Sequence, residues 1–225
     1  MCAMEKQPNT NGATMQEQNV TALRHSMVKT ISILLLAAAV AATVPRGPVG
    51  IPPSANLYRA RITREAHAAA GLAAPVAMLG AQVETESMFN ESAKSGCGAQ
   101  GLAQFTPQTA AWIANLYPAD LKPGLPFSAA WAIRALVKYD FYLYQKLPTF
   151  QEGNERWSAA LASYNGGLSY TKADQAAAQG CDASRWFGCV ENVKDKRSPA
   201  SLSQNRAYPT KIMQLQPLYA AAGWR

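Results

Sequence analysis

Charge is scarce in this sequence. Only 16% of its 225 residues are Asp, Glu, Lys or Arg, against 48% hydrophobic residues. A chain of that composition buries a core and is not disordered in bulk. The little charge leans one way: 21 Lys and Arg against 14 Asp and Glu leave a net +7. Such a balance draws a protein to polyanions, whether nucleic acid, anionic lipid or a bacterial wall carrying carboxylates and phosphates. No dense Lys/Arg block and no zinc-finger spacing occurs, so nucleic acid is not an expected partner. Histidine falls to two residues, His25 and His67, with no two-histidine metal spacing; neither a metal nor a cofactor is expected. Alternating β-branched runs are nearly absent, which excludes an all-β chain. No apolar run reaches the about 20 residues of a stable membrane-spanning helix.

The first organised feature is that short apolar run. Residues 1–26 are polar and read as a disordered extension. Arg24 and Lys29 then precede an apolar stretch over residues 31–44, which closes on the small residues Ala41, Ala42 and Thr43. This pattern over 27–48 predicts a secretory signal or a weak inner-membrane anchor, with a buried core helix as the alternative. Met27 is also a plausible start. Either kind of export signal sends the remainder to the periplasm or cell envelope. Of the four cysteines, Cys97, Cys181 and Cys189 follow the signal. An exported chain with three can form one bridge. The short spacing favours Cys181–Cys189 with Cys97 free, although Cys97 with either partner remains open.

From residue 56 onward helix signals dominate, and the reading is one all-α domain over 56–225, acting as a monomer. Thr106 and Ser128 are N-cap candidates, and Pro107 suits a first helical turn. Ala132, Leu136, Tyr139 and Leu143 share one helix face. Asn165, Gly166 and Gly167 stop another helix. The last helix is expected from Ser203, with residues 181–203 as loop.

On a helix over 76–88, at ~100° per residue, Val76, Leu79, Gly80, Val83, Glu86 and Ser87 fall on one side. Glu84 points away and reads as a surface charge. Glu86 sits on the apolar stripe near the helix end. A carboxylate there is either paired with a cation or desolvated with a raised pKa, and the second state suits a general acid. The segment SGCGAQGLAQF follows, with Gly96, Gly98 and Gly101 permitting close backbone approach. It lacks the strand and the Gly-Lys-Ser/Thr ending of a phosphate loop, and reads as a groove wall ending in Gln104.

The stretch ETESMFNESAKSGCGAQGLAQFTPQTA resembles the soluble lytic transglycosylases of the lysozyme superfamily (glycoside hydrolase family 23 type). Glu86, Ser87, Phe89, Ala93, Ser95, Gly98, Ala99, Gly101, Leu102, Gln104, Pro107, Thr109 and Ala110 occupy the fixed positions of that pattern. ALASYNGG matches a second family motif through Tyr164, Asn165 and Gly167, and QNRAYPTKI a third through Tyr208. Ser163 and Gly166 replace alanines, Gln204 an acidic residue and Pro209 an aliphatic one. The resemblance implies a lysozyme-like all-α fold and cleavage of the β-1,4 bond between N-acetylmuramic acid and N-acetylglucosamine in peptidoglycan glycan strands, leaving a 1,6-anhydro end. It assigns catalysis to Glu86 and substrate binding to Ser87, Gln104, Tyr164, Asn165 and Tyr208. Ordinary glycosidases need two carboxylates; here Glu86 would act as acid, then base. A hydrolytic muramidase would need a second acid, for which Asp174 or Asp182 are the candidates. A cysteine amidase built on Cys97 and His67 and a non-catalytic wall-binding module are the further alternatives. A phage endolysin, a wall-remodelling enzyme and a secretion-linked enzyme all fit the domain.

Overall fold

The computed structural model describes residues 50–225. The extension expected over 1–26 and the signal or anchor expected over 27–48 lie outside the described residues. Eight α-helices, joined by loops and three short 3-10 turns, make up the described part: α1 (Asn56–Ala70), α2 (Val76–Ser87), α3 (Pro107–Leu116), α4 (Pro118–Leu121), α5 (Ala129–Gln145), α6 (Asn154–Gly166), α7 (Leu168–Ala177) and α8 (Pro199–Ala221). No strand forms among the described residues, as the sequence predicts. Two isolated antiparallel bridges, Lys94 with Gln100 and Gln100 with Phe105, are the only sheet-like pairing there.

Several helix starts follow from side-chain chemistry. Thr106 accepts the Thr109 backbone N–H ahead of Pro107, and Ser128 accepts that of Trp131, each satisfying a donor that the first turn leaves unpaired. Gly167, at φ 101°, stops α6. Two expectations need correction. Helix α7 was not foreseen, because it has almost no apolar stripe. Thr171 and Asp174 are its only buried residues, so ion pairing holds it where periodicity is silent. Helix α8 begins at Pro199, not Ser203. Ser198 caps it by accepting the Ser201 N–H, and Pro209 and Pro217 lie inside it.

Helix α2 is the central element. Every residue from Val76 to Val83, together with Thr85, is buried, the signature of a helix surrounded by others. It packs on α8, while α6 packs on α5, α7 and α8, and α1 packs on α2 and α5. Gly80 permits the closest approach: a Cβ there would lie 2.7 Å from ring atoms of Trp224 and Tyr219. Those two rings meet Phe89 in an aromatic cluster that seals one end of the core.

The expected bridge between Cys181 and Cys189 is present. The expectation that Cys97 carries a free thiol is overturned, since Cys97 is disulfide-bonded as well. Among the described residues no helix is long and apolar enough to cross a membrane.

Candidate active site

Helix α2 ends abruptly just past Glu86. Met88 and Phe89 both adopt left-handed backbone, with φ 52° and 61°, a conformation uncommon for bulky residues and costing about 1–3 kcal/mol each. What holds them there is the burial of Phe89, whose ring stacks on Tyr58 at 5.8 Å and packs against Tyr219 and Trp224. The reversal stops the helix beside Glu86 and turns the chain into the glycine loop.

Glu86 is partly exposed, yet protein crowds its carboxyl. Tyr208 on α8 donates a short hydrogen bond to its Oε1. No ion pair to Glu86 forms among the described residues. Burial pushes the carboxyl up to about 7, while the Tyr208 hydrogen bond and the charge of Lys211, one turn further along α8, pull the other way. Desolvation therefore wins over pairing, the second of the two states that the helical position allows. Behind Tyr208 the Tyr164 ring lies parallel at 6.4 Å, and the Tyr164 hydroxyl donates to the Ala103 carbonyl at 2.7 Å.

The glycine loop is held by short backbone bonds. Gly101 donates to Ala93, Ser95 to Ala99, and Gln100 to Phe105. Gly101, at φ 70°, is sterically required: a Cβ would lie 1.9 Å from the Pro126 carbonyl oxygen. The two expected sugar-contacting side chains also bind the loop. Ser87 Oγ donates to the Leu102 carbonyl at 2.9 Å, and Gln104 Nε2 to the carbonyls of Gly101 and Ala93 at 2.9 and 3.2 Å. Gln104 is itself left-handed, with φ 49°. Ser87 thus ties the loop to α2, and Gln104 fixes its inner edge. Asn165 is buried next to Tyr164, its Oδ1 accepting from Asn205 at 3.4 Å. Direct contacts join Glu86, Tyr208 and Tyr164. Ser87, Gln104 and Asn165 are joined to this group through the loop and through α8.

Other acids are engaged differently from their sequence readings. Glu84 is half-buried and not a free surface charge, because Tyr219 donates to it at 2.6 Å. Asp174 pairs with Arg197 at 2.6 Å and Arg206 at 2.8 Å. Asp182 caps a turn through Ser184 and accepts from Gln151. Both are committed to these partners. The sequence reading missed Asp140, fully buried on α5, where Gln82 Nε2 of α2 donates to it at 3.2 Å. Burial raises its carboxyl well above the usual range, and the neighbouring Glu86 adds to this. A signal was present: Asp140 lies four residues after Leu136 and three before Leu143, on the apolar stripe. With Cys97 in a disulfide, no thiolate remains there for a Cys97–His67 nucleophile.

The model of the transglycosylase SLT domain family matches residues 64–187, more than half of the chain. No curated protein sequence matches it. Three solved structures are similar. The 70-kDa soluble lytic transglycosylase from Escherichia coli is 19% identical, with a TM-score of 0.49 over 71% of this chain and 24% of that one. An inactive mutant of lytic transglycosylase Slt from Pseudomonas aeruginosa is 22% identical, with a TM-score of 0.53 over 73% of this chain and 24% of that one. A complex of the 70-kDa soluble lytic transglycosylase with bulgecin A is 19% identical, with a TM-score of 0.53 over 74% and 25%. The chain spans about a quarter of the length of these proteins. The last two share its fold. With the family model running through α2, the glycine loop and α6, which carry Glu86 and Tyr164, this chain belongs to the transglycosylase SLT domain family.

Proposed function

We propose that the protein is a peptidoglycan lytic transglycosylase whose single catalytic group is Glu86. The observation that carries this reading is the state of that carboxyl. It is desolvated, free of any cationic partner among the described residues, and half-protonated near pH 7. Protonated, it donates to the oxygen bridging N-acetylmuramic acid and N-acetylglucosamine. Ionised, it removes the proton of the muramoyl C6 hydroxyl, which closes onto C1. The muramoyl N-acetyl carbonyl stabilises C1 between the two steps, in place of a second carboxylate. Tyr208 orients the carboxyl and supports its ionised form. Tyr164 backs Tyr208 and fixes the loop at Ala103. Ser87, Gln104 and Asn165 hold the groove walls against which the sugar amides lie.

A muramidase reading is disfavoured by the engagement of Asp174 and Asp182 and by the burial of Asp140. The glycan strand is the expected partner, with export across the inner membrane, residues 27–44 as signal or anchor, and a monomer as the working form. Mass spectrometry of the products from purified peptidoglycan tests the chemistry. Anhydro-muramoyl ends, one water lighter than reducing ends, are the expected products. Reducing ends as the main product would show that water attacks.

A further inference from the structure

One turn before Glu86, on the same face of α2, stands Gln82. Asp140 of α5 meets it, and both side chains are fully buried. Gln82 Nε2 donates to Asp140 Oδ1 at 3.2 Å. The other oxygen of each group, Gln82 Oε1 and Asp140 Oδ2, is buried with no partner among the described residues. Two bare acceptors inside a core are costly, and buried polar groups are paired as a rule. An ionised Asp140 would be costlier still, because no ion pair reaches it among the described residues. The titratable groups close to it are Glu86 of α2, Tyr164 of α6, Tyr208 of α8 and Tyr139 beside it on α5. Burial pushes all three phenols up, so they stay neutral. The residues that α1, α3 and α4 bury are apolar, and Arg134 and Lys138 of α5 are taken up by Glu65 and Asp120. The bond length agrees with a neutral acceptor: an N–H to an ionised oxygen typically runs about 2.7–2.9 Å when the charge assists it.

We propose that Asp140 is a protonated positioning residue, whose carboxylic acid and the Gln82 amide close a reciprocal pair of hydrogen bonds that seats the Glu86 end of α2 on α5. One proton on Oδ2, donated to Gln82 Oε1, satisfies both bare oxygens at once. A planar acid and a planar amide suit each other in this way, since each offers one donor and one acceptor. The inference rests on the Glu86 reading above and adds a second acid to it, one that keeps its proton while Glu86 gives one and takes one. Neutrality at Asp140 serves the first of those steps. A carboxylate there would repel the charge that Glu86 acquires on protonating the glycosidic oxygen. Asp140 touches no substrate and acts through α2.

The first readout is the infrared difference between the parent and Asp140→Asn at about pH 8. The parent is expected to show the carbonyl band of a protonated carboxylic acid that the variant lacks. Carboxylate bands in its place would overturn the proposal in favour of an ionised acid bridged by water. Stability reads the same proton by another route. Asp140 titrates near 3.8 when unfolded and well above that when folded, so folding weakens as pH rises past the unfolded value. Asp140→Asn should melt above the parent at about pH 8 and lose that advantage by about pH 3; a gap that does not change with pH would overturn the pair. For the positioning role, Asp140→Ala is expected to lower kcat on the order of tenfold with KM held. Asp140→Asn, whose amide restores both bonds without charge, should recover it with the alkaline limb still at about 7. A limb moved downward in Asp140→Asn would show that a negative charge had been removed, and failure to recover would show that the two bonds are not what matters; either overturns the proposal. If the parent cleaves no wall but the acid band and the pH-dependent gain hold, the Glu86 reading fails and the protonated pair stands.

Discussion

Asp174 and Glu86, two of the carboxylates that enter the interior of this domain, are treated in opposite ways. Asp174 on α7 meets Arg197 and Arg206, and Arg197 continues to Asp195 and Asn205. Burial raises its carboxyl, and the two guanidiniums act against that rise. Glu86 on α2 forms no ion pair among the described residues and takes one hydrogen bond from an uncharged tyrosine. Burial is common to both; the partner differs. A paired acid fixes the position of a helix that has no apolar stripe. An unpaired one keeps a proton near neutral pH and is left with chemistry to do. The two regions even share an element, since α8 carries both Arg206 and Tyr208.

The contrast can be broken at either end. The largest effect is expected at Glu86. Glu86→Gln removes the proton donor and should lower wall solubilisation about 10³-fold or more, with the circular dichroism of the parent retained. A residual rate within tenfold of the parent would remove Glu86 from the chemistry. At the other end, Asp174→Asn leaves two arginines without their shared anion. It should destabilise folding by about 3–5 kcal/mol, read from denaturant midpoints.

Glu86→Gln should also stabilise the fold in a pH-dependent way. The carboxyl titrates near 4.5 when unfolded and at about 7 when folded. Between those values the unfolded chain has already lost its proton and the folded chain has not. Folding is therefore weakened progressively from about pH 4.5 to pH 7 and stays weaker above. The variant should gain about 3 kcal/mol over the parent at pH 8, the gap closing by pH 4, in paired thermal melts. Asp174→Asn should show no such gain, which sharpens the comparison.

Tyr208→Phe tests the one bond Glu86 receives. The hydrogen bond favours the ionised carboxylate, so its loss should move the alkaline limb of kcat/KM upward from about 7. Because a general acid works protonated, activity falls above that limb. The rate at pH 7 should drop about tenfold through lost orientation. An unmoved limb would mean that Tyr208 serves packing alone. The smallest effect is expected from Glu84→Gln, since a glutamine oxygen still accepts from Tyr219. Stability should change by less than about 1 kcal/mol, with wall cleavage retained.

Much of this was legible in one dimension. Helix caps at Thr106 and Ser128 follow from local hydrogen bonding, and the stop at Gly167 from backbone freedom. The special standing of Glu86 follows from its place on an apolar stripe. The same arithmetic would have flagged Asp140, four residues after Leu136, had it been applied to α5. Helix α7 was beyond it, because its anchoring acid finds its arginines 23 and 32 residues later.

The sequence by itself determined an all-helical domain, one acid out of place on an apolar face, and a glycine loop beside it, because each depends on neighbours within a few residues. Tertiary structure alone decided what that acid would be. Glu86 meets Tyr208 across 122 residues, with no cation among the described residues pairing it, and a carboxyl's proton affinity is set by whatever surrounds it in space. The same holds for Ser87 and Gln104, whose donors close on the loop, and for the left-handed turn at Met88 and Phe89. No local preference selects that turn, and the buried aromatic cluster around Phe89 holds it in place.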